Sequence, residues 1–269
     1  MKFLRHLVVL LLGVAVALTG WAFVSSSTLF NSNYLLAQAD SAKIYPALAQ
    51  ATPSLLSELA PLTADERVLL GQLVTVPFVQ GRFSSLLPQL ERYYRSGGAR
   101  PALDLRDLKV TADAAGVPLP ATLAQQLAQP LPVTAGALDA RLSQIVRWSD
   151  HLRLLGPIMI ALLVGLVLLT GRKRRGLMVA EASLIAAGGA LSAAGLVLLI
   201  PGLIASTVKT SAVKPLAVPL TDWLKAVAAQ PSHELVIFAV ALATLAFIAA
   251  TLHFVMMFGG IFRRSKHQR

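Results

Sequence analysis

Residues 154–206 read LLGPIMIALLVGLVLLTGRKRRGLMVAEASLIAAGGALSAAGLVLLIPGLIAS, two apolar runs joined by GRKRRG, Gly171 to Gly176. Leu154 to Gly171 carries no charge, and Leu177 to Ser206 carries only Glu181. About 20 helical residues at about 1.5 Å each cross a hydrocarbon core of about 30 Å, so each run is long enough to span a membrane. A tight basic turn between two spans makes a hairpin. Its cations Arg172, Lys173, Arg174 and Arg175 then mark one side of the bilayer and contact the anionic lipid of the inner leaflet.

Outward from this hairpin lie two more such runs, Leu7 to Val24 and Leu235 to Phe258. Lys2 and Arg5, the four cations of the turn, and Arg263, Arg264, Lys266 and Arg269 fall in the short segments before the first run, between the second and third, and after the fourth, with no acidic residue among them. An even number of crossings puts those segments on one side. This positive-inside pattern implies a multi-pass cell-membrane protein with both termini cytoplasmic. The net charge of +11 is therefore an address rather than a nucleic-acid footprint. With 55% hydrophobic and 14% charged residues and a mean hydropathy of +0.67, the 269-residue chain is too apolar for an ordinary soluble domain.

The expected fold is mainly α: a four-transmembrane-helix bundle with an α-helical extracytoplasmic domain inserted between spans one and two. The expected divisions are a transmembrane anchor over 1–24, the extracytoplasmic domain over 25–153, a three-helix transmembrane region over 154–262 and a basic tail over 263–269. The first run has a second reading as a cleavable signal peptide, since a basic start precedes it and small residues follow it. Cleavage would leave three spans. The absence of cysteine excludes disulfides, thiolate catalysis and cysteine-ligated metals.

Within the exported segment the pattern is helical. Thr63 and Glu66 have the spacing of a capping box, and Thr52-Pro53 reads as an N-cap followed by proline in the first turn. Leu86, Leu87, Leu90, Tyr93 and Tyr94 recur at helical spacing up to Gly97-Gly98. PALDLRDLK, 101–109, alternates like a short strand or extended arm before a helix ending at Gly116. Pro120 and Pro130 bracket one more short helix. From Ala137 to Leu152, the apolar stripe Leu138, Leu142, Ile145 and Leu152 runs into the second span, with a kink or brief interruption expected at Gly156-Pro157.

No catalytic residue, metal site or cofactor is assigned. Ser232-His233-Glu234 starts like the zinc motif H-E-x-x-H, but Ile237 stands where the second histidine belongs. Asp150 and His151, with Asp222, His233 and Glu234, read as solvated interface groups rather than a shared metal site. Glu181 and His253 are the intramembrane polar candidates, because an ionisable group in hydrocarbon is costly unless used or paired. Gly188, Gly189 and Ala193 lie in the small-residue stretch of the third span, which lets helix backbones approach within the bundle or at a face for a second chain. Pro201-Gly202 is expected to end or bend that span, and Trp21, Trp148 and Trp223 fall where an outer interfacial belt is expected.

LFNSNYLLAQADSAKIYPAL (29–48), FSSLLPQLERYYRSGGARPALDLRDLK (83–109) and the three closely spaced spans that follow resemble the layout of uncharacterised bacterial four-span membrane proteins with a large helical extracytoplasmic loop after the first span. The resemblance implies topology and carries no activity. Two functional readings stand. One is a noncatalytic binding, scaffolding or envelope-associated protein acting through its outer domain on a membrane partner or a second copy, with the lipid bilayer and not nucleic acid as its surroundings. The other is a small transporter, channel or membrane-enzyme subunit using Glu181 and His253.

Overall fold

The computed structural model describes residues 2–59, 62–117, 119–133, 139–170, 175–208 and 217–266. The protein is mainly helical, and the described residues form α1 (Lys2–Ser27), α2 (Ser32–Ser41), α3 (Ile44–Leu59), α4 (Ala64–Leu73), α5 (Val76–Ser96), β1 (Ala102–Leu103), α6 (Arg106–Ala114), α7 (Ala121–Leu127), β2 (Leu131–Pro132), α8 (Asp139–Thr170), α9 (Arg175–Val208) and α10 (Ala217–Lys266). Four helices, α1, α8, α9 and α10, are long and apolar enough to cross a membrane.

Two compact units make up the chain. A bundle unit comprises 1–26, 148–197 and 230–269, and an amphipathic unit comprises 27–147 and 198–229. The second piece of the amphipathic unit is not expected from the pattern of runs, which places 198–206 in a span and the rest in a loop. Leu220 and Trp223 draw it in, because both pack on that unit's core.

In the bundle unit, large apolar side chains face outward. Leu154 is 73% exposed, Leu162 70% and Leu169 80%, and only 11% of the most apolar window of α8 is buried within the protein. A surface of this kind is stable when hydrocarbon rather than water covers it. Inside, Val8, Val9 and Leu12 of α1 pack with Val167 of α8 and Met178 and Ala182 of α9, while Ala187 and Ala190 of α9 pack with Ala239 of α10. Glycine makes the closest crossings possible. A Cβ at Gly156 would lie 2.2 Å from Thr19 Oγ1, and one at Gly20 would lie 2.3 Å from the Phe238 ring.

The Gly156-Pro157 step does not interrupt α8, which is helical throughout its 32 residues. Likewise α9 does not end at Pro201-Gly202 but continues to Val208. In both cases proline removes one N–H, and the surrounding turns keep the helix going. At 50 residues α10 is about 75 Å long, well beyond the apolar run that announces it.

The amphipathic unit has a conventional core of Ile44, Tyr45, Leu56, Leu70, Leu108, Leu123 and Leu127. Tyr45, Phe83 and Trp223 extend it as a chain of edge-to-face aromatic contacts, with centroids 5.8 and 5.7 Å apart. The capping box forms: Thr63 Oγ1 accepts from Glu66 N, and the Glu66 carboxylate accepts from Thr63 N at 2.7 Å. Gly97 ends α5 in the left-handed region, φ 68°, where its N–H reaches the Tyr93 carbonyl. Of the strand and the extended arm left open for PALDLRDLK, a two-residue strand forms: β1, paired antiparallel with β2 in the register Ala102 to Pro132 and Leu103 to Leu131. The helix after it, α6, is followed by Gly116 at φ 67°.

Two readings need correction. Thr52-Pro53 starts no helix: α3 begins at Ile44 and contains Pro53, and the Thr52 hydroxyl donates back to the Leu48 carbonyl at 2.6 Å. The entry into α8 buries Val146 and Ser149, while Ile145 is 43% exposed. The Ser149 hydroxyl donates to the Ala22 carbonyl, so a polar residue too small to register in an apolar stripe sets which side of the helix is covered.

Candidate functional site

The amphipathic unit contains a cavity of about 230 Å³ between the start of α2, the second half of α5 and the start of α8. Its walls are apolar, with Leu35, Leu87, Leu90, Leu142 and Val146 among them, and Glu91, Tyr94 and Arg95 stand with them. These three are spaced i, i+3, i+4 on α5 and so share one helix face. Each ties a different segment to the wall. Glu91 Oε2 accepts from Ser32 N at 2.9 Å, satisfying the first N–H of α2, while Asn31 caps the next two N–H groups. Arg95 pairs with Glu91 Oε1 at 3.1 Å and donates to the Phe30 carbonyl at 3.0 Å. Tyr94 Oη donates to Asp139 Oδ1 at 2.9 Å.

Burial pushes the Tyr94 phenol up to about 12, helped by the hydrogen bond to Asp139 and by that residue's charge. Tyr94 therefore stays a neutral donor across the physiological range and keeps its bond to a carboxylate at the first turn of α8. An acid at a helix start is also favoured by the helix dipole. The polar groups around the cavity thus bond to one another, and the interior offers an apolar surface. Such a site takes an apolar group by shape and burial rather than by hydrogen bonding.

Of the residues singled out from sequence, Tyr94, Leu87, Leu90 and Leu142 come together here. Glu91 and Arg95 were missed, although a Glu four residues before an Arg inside a helical stretch was a legible pair. Among the described residues no hydrogen bond or ion pair joins Glu181 and His253. His253 packs where α9 begins, and a Cβ on Gly176 would lie 2.9 Å from His253 Cβ and 2.8 Å from the Ala249 carbonyl.

The small residues of α9 divide. Ala186 and Ala190 are buried, and Gly189 meets Ala17 of α1, where an added Cβ would come within 2.8 Å. Ala193 shares an outward groove with Gly189 and Trp21. Gly188 is exposed with nothing close to it. Backbone approach within the chain therefore uses Gly189 but not Gly188. Arg172, Lys173 and Arg174 lie outside the described residues, and Arg175 opens α9.

Trp223 packs on the core of the amphipathic unit and donates to the Leu35 carbonyl. Among the described residues no group of three or more His, Cys, Asp or Glu side chains is placed to hold a metal ion. No family model matches the chain, and neither a curated protein nor a solved structure matches it.

Proposed function

We propose that this chain is a cell-membrane protein with both termini cytoplasmic, whose amphipathic unit lies on the extracytoplasmic side and acts as a noncatalytic binding module for a membrane or envelope partner. The observation that carries the reading is the apolar cavity walled by α2, α5 and α8, whose polar neighbours are occupied with holding those helices in place. A preformed apolar recess of this kind suits the anchoring side chain of a partner, the usual centre of a binding surface. The orientation is supported by the ten cations and no carboxylates of the short segments. A transport or channel role would use Glu181 and His253, which no hydrogen bond or ion pair joins among the described residues.

Reporters fused after Arg175 and near Gly98 should report opposite sides of the membrane. A photo-crosslinking residue at Leu142, activated in native membranes, should yield a discrete protein adduct. Leu90→Trp, which fills the recess, should abolish that adduct, whereas Val110→Trp on the exposed face of α6 should not. Recovery of only the unpartnered chain from wild-type cavity positions would overturn the binding role.

A further inference from the structure

The bundle unit holds a second and larger cavity, about 580 Å³, walled by all four of its helices. Leu12, Val16 and Phe23 of α1, Ile160 of α8, Ala182 of α9 and Phe238 of α10 all face it. The polar side chains on its wall are Thr19 and Ser183. The Thr19 hydroxyl packs close to Gly156 and makes no hydrogen bond among the described residues. Water finds too few partners in such a space to be held there. Phe23, Val164 and Leu245 on its wall are 46%, 37% and 47% exposed, so the space is an apolar cleft that opens to the surroundings of the bundle. In a bilayer an apolar cleft of this kind is filled by hydrocarbon.

Length and charge identify that hydrocarbon. On α1 the wall runs from Leu12 to Val24, twelve residue steps or about 18 Å of helix. Half of a hydrocarbon core of about 30 Å is about 15 Å, the depth one leaflet's acyl chain fills. At the Val24 end stands a cation. The guanidinium of Arg153 lies 5.7 Å from the centre of the Phe23 ring, itself part of the wall, and donates to Ser26 Oγ at 3.1 Å. Among the described residues no carboxylate pairs with it. A guanidinium fixed by a ring and a hydroxyl, with donors to spare, matches a phosphate oxygen pair.

We propose that the bundle unit holds one membrane phospholipid as an integral component, with an acyl chain in the cavity between the four helices and the phosphate on Arg153. This rests on the four helices lying in a bilayer and not on the binding role of the amphipathic unit. It differs from ordinary annular contact in that residues of all four helices line the chain and a fixed cation holds its phosphate. Four-helix walls this open need the lipid to complete their packing.

The full chain, extracted in mild detergent, delipidated and titrated with phosphatidylglycerol, should retain one lipid per chain by native mass spectrometry. Val164→Trp, which intrudes on the cavity from α8, should weaken retention at least tenfold, while Leu169→Trp, 80% exposed on the same helix, should leave it unchanged. Arg153→Gln should weaken phosphatidylglycerol about tenfold and leave a neutral diacylglycerol unaffected. Equal retention by Val164→Trp and wild type would overturn the seat of the chain. Equal loss of both lipids in Arg153→Gln would overturn the role given to the phosphate. Should the tryptophan variant lose its helical signal, the wild-type protein still decides. A phosphatidylglycerol with a photoactivatable acyl chain should label peptides containing Val16 and Ile160, and labelling confined to Leu169 and Leu196 would refute the site.

Discussion

Tyr34→Phe tests whether the long α10 helix depends on a hydroxyl from α2. Pro231 lies inside α10 and has no N–H, so the Val227 carbonyl four residues earlier loses its helical donor. Tyr34 replaces it: its Oη donates to Val227 O at 3.0 Å, with a longer 3.5 Å approach to Ala226 O. Val227 is only 6% exposed, so water is a poor substitute. A net hydrogen bond contributes about 1 kcal/mol, and a buried acceptor left without a donor costs about 1–3 kcal/mol. Because Tyr34 is half-buried and some solvent can approach, the loss expected is about 1–2 kcal/mol. The control is Pro231→Ala, which restores the missing N–H and lets Val227 bond within its own helix. In that background Tyr34→Phe should cost about 0.5 kcal/mol or less, giving a coupling of about 1 kcal/mol between positions that the cycle isolates from the packing change at 231. Urea unfolding of the full chain in detergent, followed by far-ultraviolet dichroism and tryptophan emission, reads it. Trp223 is a useful reporter because it donates to the Leu35 carbonyl, next to Tyr34. An equal cost of Tyr34→Phe in both backgrounds would refute the compensation, as would no measurable cost in the native background.

Gly156→Ala should destabilise the bundle by about 1–3 kcal/mol, since the new Cβ would lie 2.2 Å from Thr19 Oγ1. Adding Thr19→Ala should recover most of the loss, measured as the midpoint of thermal unfolding in detergent. Tyr94, held up to about 12, contributes stability that is complete below its ordinary value of 10.0 and is lost as the pH rises toward 12. Ultraviolet titration should therefore show a late phenolate step that disappears in Tyr94→Phe. The side chain of Arg106, with its backbone N–H, holds the Asp104 carboxyl down at about 2, so that contribution is present above about 3.8 and lost as the pH falls toward 2. Asp104→Asn should flatten this part of the acid limb in a pH series of urea midpoints; an unchanged slope would count against the pair.

Much of the architecture was legible because membrane spans announce themselves locally. A run of uncharged residues is long enough or it is not, and no distant contact is needed to decide it. The same holds for the Thr63–Glu66 capping box and the helix end at Gly97, each a matter of a few adjacent residues. Where the reading failed, as at Thr52-Pro53, or left a bend and an end both open, as at Gly156-Pro157 and Pro201-Gly202, a proline was involved. Pro53, Pro157, Pro201 and Pro231 all lie inside helices. Whether a helix survives a proline depends on what packs around it and on who supplies the missing donor. For Pro231 that supplier is Tyr34, 192 or more positions away along the chain from the carbonyls it serves.

The candidate sites divide in the same way. Sequence alone determined that four helices are apolar enough to cross a membrane, that most of the net positive charge lies in three short segments, and that Glu181 and His253 are unusual in their surroundings. Tertiary structure alone decided that those two residues form no pair, that Gly189 rather than Gly188 meets a neighbouring helix, and that residues 198–229 join the amphipathic unit. It also decided where the cavities lie. Hydropathy and capping are properties of a segment and its solvent, whereas a cavity is the space that side chains from several helices leave unfilled. That space depends on their mutual packing, which no single stretch of the chain encodes.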